Sequence, residues 1–253
     1  MTGIWSETAG NQHDPLVVLI HGAMDRAAGM LKVSRRLDDR HQVLRYDRRG
    51  YGRSYPHPGP FDMSGQVDDL EALLDGRRAV LVGHSYGGNV ALAMADRQPD
   101  QIAGVVVYEI PMSLESWWPG TTAGAIAMSA VEGTDVAAEK FMRRLIGDAR
   151  WDALPERTRA TRRAEGAALV GELIDLRANR PWRAERITMP VMVGNGSRGA
   201  AHHQDGMARL AEMLGAQHAV LEGCRHDAPT SHPAEFCHRL VEPLLARVGA
   251  PWA

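Results

Sequence analysis

Lysine and cysteine are scarce in this chain, and long apolar runs are missing. Lys32 and Lys140 are the only lysines among 29 Lys and Arg residues, which face 31 Asp and Glu for a formal net charge of −2. Without a block of like charge there is no polyanion-binding surface, so nucleic acid is not an expected partner. Two cysteines, Cys224 and Cys237, cannot form a disulfide framework and point to a reducing, cytoplasmic setting. No apolar run approaches the ~20 residues of a membrane span. The start, Met1-Thr2-Gly3-Ile4-Trp5-Ser6-Glu7, lacks the basic and apolar regions of a signal peptide, so no membrane partner is expected either. No Gly-x-Gly-x-x-Gly or P-loop pattern is present, so no nucleotide cofactor is implied. The sequence carries no internal repeat, and nothing in it sets an oligomeric state.

What is present is globular: 253 residues, 44% apolar and 24% charged, the size of one α/β domain. Short apolar runs at 16–20, 43–46, 79–82, 102–108 and 190–194, and one ending at Leu221, read as buried strands. Helical spacing lies between them, with Asp62 placed to cap the helix carrying Val67, Leu70, Leu73 and Leu74. Strict alternation means βαβ units and a mostly parallel sheet flanked by helices. It breaks at 112–186, where the pattern becomes helical, polar and interrupted by Gly and Pro. Residues 1–111 and 187–253 therefore form one core domain, and 112–186 a helical insertion. The insertion holds Trp117, Trp118, Trp151 and Trp182, four of the six tryptophans. It is either a layer packing on itself or a cap whose aromatic inner face shapes a substrate pocket. Its position at a break in the sheet favours the cap and makes those tryptophans candidate substrate contacts.

Residues 83–88 read Gly-His-Ser-Tyr-Gly-Gly, directly after the run 79–82. This is a strand entering Gly-x-Ser-x-Gly, a turn so sharp that only small residues fit two positions either side of the serine. Ser85 then stands at the start of a helix, where free N–H groups stabilise negative charge. A serine hydroxyl needs a base, and the base needs a carboxylate. His226 lies on the loop after the last strand, the sheet edge where parallel α/β proteins place their sites. The carboxylate is less obvious. The loop Asn195-Gly196-Ser197-Arg198-Gly199 contains none, whereas Glu109 ends a buried strand, a costly place for a charge unless it is paired. Glu109 is the first candidate and Asp205 the reserve; Asp227, adjacent to His226, is poorly placed to orient that ring. The oxyanion donors are expected to be the backbone N–H groups of Tyr86 and Ala23, with His21 and Gly22 bracing the loop. His202, His203 and Asp205 lack a second metal-ligand cluster, and Cys224 lies too close to His226 on one loop to act as its nucleophile, so no metal and no thiol chemistry is expected.

These motifs, His-Gly at 21–22, Asp-Arg-Arg-Gly-Tyr-Gly-Arg-Ser at 47–54, the serine turn and the His226 loop, resemble the α/β-hydrolase fold in its capped, cofactor-free esterase and lactonase type. The resemblance implies the α/β-hydrolase fold with a helical cap after the strand the family counts as sixth. Most members carry the acid where this chain has Asn195 to Ser197. A glutamate at the end of the strand before the cap resembles a minority arrangement found in some haloalkane dehalogenases and zearalenone-type lactonases. The implied function is cleavage of a small ester or lactone through an acyl-enzyme. The alternatives are transfer of the same acyl group to another acceptor, or a non-catalytic ligand-binding protein on this fold.

Overall fold

The computed structural model describes residues 3–249. A seven-stranded sheet has the order β1-β3-β2-β4-β5-β6-β7. Its strands are β1 Ser6–Ala9, β2 Leu16–Ile20, β3 Gln42–Tyr46, β4 Ala79–His84, β5 Ile102–Tyr108, β6 Val191–Gly196 and β7 Gln217–Leu221. All neighbours pair in parallel except β1, which runs antiparallel to β3. β1 escapes the sequence reading because Ser-Glu-Thr-Ala is polar and mostly exposed, as an edge strand can be. The strand the family counts as sixth is the fifth described strand of this chain, β5.

The helices are α1 Leu31–Ser34, α2 Met63–Leu74, α3 Tyr86–Arg97, α4 Ala123–Met128, α5 Thr134–Ile146, α6 Asp148–Asp152, α7 Glu156–Ala164, α8 Gly166–Ala178, α9 Ala201–Leu214, α10 Ala228–Ser231, α11 Pro233–Phe236 and α12 Glu242–Val248. Asp62 caps α2 as expected, accepting from the Gly65 N–H at 2.8 Å. Alternate strand residues feed two cores. Val18, Ile20, Leu81 and Val107 pack under α2, α3 and α9. Val17, Leu19, Val82 and Val106 pack with Phe236, Leu240 and Leu244 of the C-terminal helices. Covering both faces explains why the strands read as unbroken apolar runs. Helices α4 to α8 lie between β5 and β6; α4, α5, α6 and α8 share a third core, in which Phe141, Trp151 and Leu169 meet Met24 and Tyr51. Among the described residues no helix is long and apolar enough to cross a membrane.

Candidate active site

The turn at Ser85 is as tight as its sequence predicts. Ser85 has φ 53° and ψ −126°, between the end of β4 and the start of α3. A Cβ at Gly83 would strike the backbone of Gly87 and Gly88, and one at Gly87 would strike the carbonyls of Ile20 and His21. The glycines therefore let α3 double back on β4 and let the β2 end approach. A Cβ on Gly22 would stand 3.0 Å from that of Ser85, so the 21–24 loop abuts the serine. Four non-glycine residues have positive φ among the described residues: Met24, Ser85, Glu109 and Asp75. Asp75 is the left-handed C-cap of α2; the other three surround this site, where such strain characteristically collects.

Glu109 has no exposed surface, and its Oε2 is 2.7 Å from His226 Nδ1. Its Oε1 accepts the Gly196 N–H at 2.9 Å, and its own N–H donates to the Gly194 carbonyl. The β6 loop thus contributes an N–H where a side-chain acid was conceivable. The histidine loop is tied down by Tyr108, whose hydroxyl donates to the Arg225 carbonyl at 2.8 Å, and by His84, whose Nε2 is 2.8 Å from the His226 carbonyl. A carbonyl only accepts, so His84 carries its proton on Nε2. Burial, then the adjacent His226, lowers the His84 pKa to about 3 and keeps this ring neutral. His203 stacks on His226 at 5.0 Å and is likewise held neutral, by burial first and then His226. The Ser85 hydroxyl has no hydrogen-bond partner among the described residues. In free hydrolases the contact from nucleophile to base is often open and tightens around substrate.

Asp205 is exposed on α9 and Asp227 exposed at the start of α10; neither is brought to the His226 ring. Asn195 turns away, its Oδ1 2.6 Å from His218 Nε2. The four tryptophans separate. Trp117 and Trp118 are half-buried against α9 at Gly206, and the Trp118 ring lies 4.8 Å from His202 and 5.4 Å from His203. Trp118, His203 and His226 thereby form one aromatic path to the site. Trp151 is fully buried among α5 to α8, with Nε1 donating to Glu139 at 3.2 Å. Trp182 is buried against α3, with Nε1 donating to Asn89 at 2.9 Å. Both indoles are buried with their N–H groups bonded, apart from the aromatic path to His226, and Trp182 also edges a small cleft with Pro111, Leu114 and Pro181.

The alpha/beta hydrolase family model matches residues 17–239. The chain belongs to the alpha/beta hydrolase family. Among solved alpha/beta hydrolases it is similar to a thermophilic esterase from Thermogutta terrifontis (23% identity, TM-score 0.77, 98% of this chain and 94% of that one). It is also similar to the enol-lactonase from Burkholderia xenovorans LB400 (25% identity, TM-score 0.74, 96% of each chain). A proline iminopeptidase from Xylella fastidiosa is 31% identical over 121 residues, 45% of this chain and 38% of that one. The chain matches well under half the length of such curated relatives.

One group among the described residues brings metal-ligating atoms within 4.8 Å of one another: Glu109, His203 and His226. Two ligands on one zinc ion stand about 3.3 Å apart at ordinary tetrahedral bond lengths. Glu109 Oε2 and His226 Nδ1 are closer, at hydrogen-bonding distance, so those two atoms are engaged with each other, with the His203 ring stacked beside them. Cys224 is buried and burial pushes its thiol pKa up, the opposite of an activated nucleophile. Sequence reasoning missed His84 and His203 as the walls around His226. His84 sits inside the serine motif and could have been suspected from its place alone.

Proposed function

We propose that this alpha/beta hydrolase cleaves a small carboxylic ester or lactone through a Ser85 acyl-enzyme. The observation that carries the reading is the 2.7 Å contact between buried Glu109 and His226 Nδ1, beside the strained serine turn. With Nδ1 engaged, the free lone pair of His226 is on Nε2, the atom a general base presents to serine. Ser85 Oγ attacks the carbonyl carbon as Nε2 takes its proton. The imidazolium is balanced by Glu109, and the oxyanion is held by the N–H groups of Ala23 and Tyr86. Nε2–H then protonates the departing alkoxide. In a lactone that alcohol stays tethered to the acyl group, and a water activated by the same imidazole releases the product from Ser85. Trp117 and Trp118 bound the substrate from the helical insertion, which acts as the cap. An acid at the end of the strand before the cap resembles the minority arrangement of some haloalkane dehalogenases and zearalenone-type lactonases.

The test pairs Ser85→Ala with a fluorophosphonate probe on a panel of aryl esters and lactones. The wild-type protein should turn over at least one substrate and label at Ser85 alone, and the alanine variant should lose several orders of magnitude in kcat. Labelling at Cys224, or full activity in Ser85→Ala, refutes the reading.

A further inference from the structure

A wholly buried arginine connects the helical insertion to the loop assigned to the oxyanion hole. Arg48 follows β3 and has no exposed surface. Its Nε donates to the His21 carbonyl at 3.0 Å and its Nη2 to the Gly22 carbonyl at 3.1 Å. The His21 Nδ1 donates to the same Gly22 oxygen at 2.7 Å, and His21 Nε2 accepts the Arg48 backbone N–H at 2.9 Å. The guanidinium carbon lies 4.7 Å from the ring centroid of Tyr86 and 5.0 Å from that of Tyr51. Its outer edge meets Glu172 of α8: Nη1 bonds Oε1, and Nη2 is 3.4 Å from Oε2. Glu172 is itself buried and accepts from the Tyr51 hydroxyl at 2.9 Å and Gln66 Nε2 at 3.0 Å.

We propose that Arg48 is a positioning residue that aims the Ala23 N–H at the oxyanion, and that Glu172, supplied by the helical insertion, holds Arg48 in place. The proposal rests on the reading of Ala23 as an oxyanion donor. Peptide geometry carries it. The Gly22 carbonyl and the Ala23 N–H belong to one planar trans unit and point in opposite directions. Fixing the oxygen with Arg48 Nη2 and His21 Nδ1 therefore fixes the direction of the N–H. The same contacts polarise the peptide and strengthen that N–H as a donor. Tyr86, the other donor residue, lies against the face of the same guanidinium, so one side chain backs both halves of the hole. Burial disfavours the Arg48 charge, and the Glu172 carboxylate more than offsets this. Only arginine offers a planar fork that can bond two successive carbonyls and a carboxylate at once.

Glu172→Gln alone strands a buried positive charge and risks unfolding. The decisive protein is the double variant Arg48→Met/Glu172→Gln, which removes both charges and keeps bulk and an acceptor for Tyr51. Matched neutralisation of a buried pair is commonly tolerated by the fold. The expected result is a cooperative melt near that of the wild type and a kcat, per Ser85 titrated with fluorophosphonate, lowered about 10- to 100-fold, somewhat less than deletion of a whole donor. KM should stay within about threefold, and the inhibition constant of a trifluoromethyl ketone should rise by the factor lost in kcat/KM. A merely structural role would reduce the titratable sites and leave kcat per site and the inhibition constant alone. Wild-type kcat per site in the folded double variant overturns the proposal, as does a double variant that cannot fold. If instead the wild-type protein shows no labelling of Ser85, the hydrolase reading itself has failed.

Discussion

Replacing Glu109 by glutamine keeps the shape of the site and removes one charge. The glutamine oxygen can take over the bond from the Gly196 N–H, now 2.9 Å from Oε1. Its amide NH2 then faces His226 Nδ1 at the position where Oε2 stands 2.7 Å away. That arrangement makes Nδ1 an acceptor and places the ring proton on Nε2, the atom that must accept a proton from Ser85. Flipping the amide restores the tautomer but sets NH2 against the Gly196 N–H, two donors face to face. Either way the developing imidazolium loses its counterion. At about 4 Å between charge centres and an effective dielectric of about 20, that interaction is worth about 4 kcal/mol, or about three decades in rate. The tautomer conflict adds to it, so kcat should fall about 10³- to 10⁴-fold, the size of loss seen when a triad acid becomes its amide. No water can substitute, because Glu109 has no exposed surface. The assay is kcat on an activated aryl ester, with fluorophosphonate labelling rates at Ser85 measured in parallel. A loss under tenfold in a folded variant refutes the assignment of the acid, and a dead Asp205→Asn variant would transfer it to Asp205.

Gly199→Ala would put a Cβ 2.5 Å from Glu109 Oε1, so it should lower kcat tenfold or more with the serine turn intact, as read by steady-state kinetics and melting; unchanged kcat counts against the role of that oxygen. Trp118→Ala should raise KM for bulky esters several-fold and spare an acetate ester, whereas Trp151→Ala, emptying a fully buried site, should cost about 3–5 kcal/mol of stability by denaturant titration. Seven histidines, His21, His41, His57, His84, His202, His203 and His218, have pKa values lowered by burial. The unfolded chain therefore binds the extra protons as pH drops through about 6.5. Burial raises Asp25 to about 6, Glu165 to about 7, and Glu172 as well, and these folded-state protons oppose the effect in number and only in part. Stability should be greatest near neutrality and fall towards pH 5; a higher denaturant midpoint at pH 5 than at pH 7.5 contradicts this sign.

Much of the fold was legible because both faces of the sheet are covered. That makes β2, β4 and β5 continuous apolar runs, which a sequence displays openly. The serine turn was legible because its steric limits admit few residue types. Glu109 was legible through a conflict, a charge at the end of a buried strand. What stayed hidden depends on partners far apart in sequence. Arg48 and Glu172 are separated by 124 positions, and nothing local singles out Arg48 from Arg45 and Arg49 beside it, which are buried too. Tryptophan direction was equally hidden: Trp118 and Trp151 are one residue type, and only packing decides that one reaches the His203 edge while the other fills a core.

The position of the proposed acid and the composition of the β6 loop are two sides of one constraint. Glu109 leaves the end of β5 at φ 48°, which swings its side chain across to the neighbouring strand end. There the Gly196 N–H meets it, and the bare Cα of Gly199 leaves the room its Oε1 occupies. A carboxylate projecting from this loop towards His226 Nδ1 would compete for the same space. Two buried carboxylates sharing one imidazole would also push a proton onto one of them. The loop therefore supplies glycine and a backbone donor. The one side chain that could have become an aspartate by a small change, Asn195, is held by His218 on the far side. With Glu109 as the proposed acid, the missing aspartate at 195–197 is its counterpart. It predicts that Asn195→Asp, made in a Glu109→Ala background, fails to restore turnover, because the new carboxylate faces His218; recovery of activity in that double variant would show that the two positions are interchangeable after all.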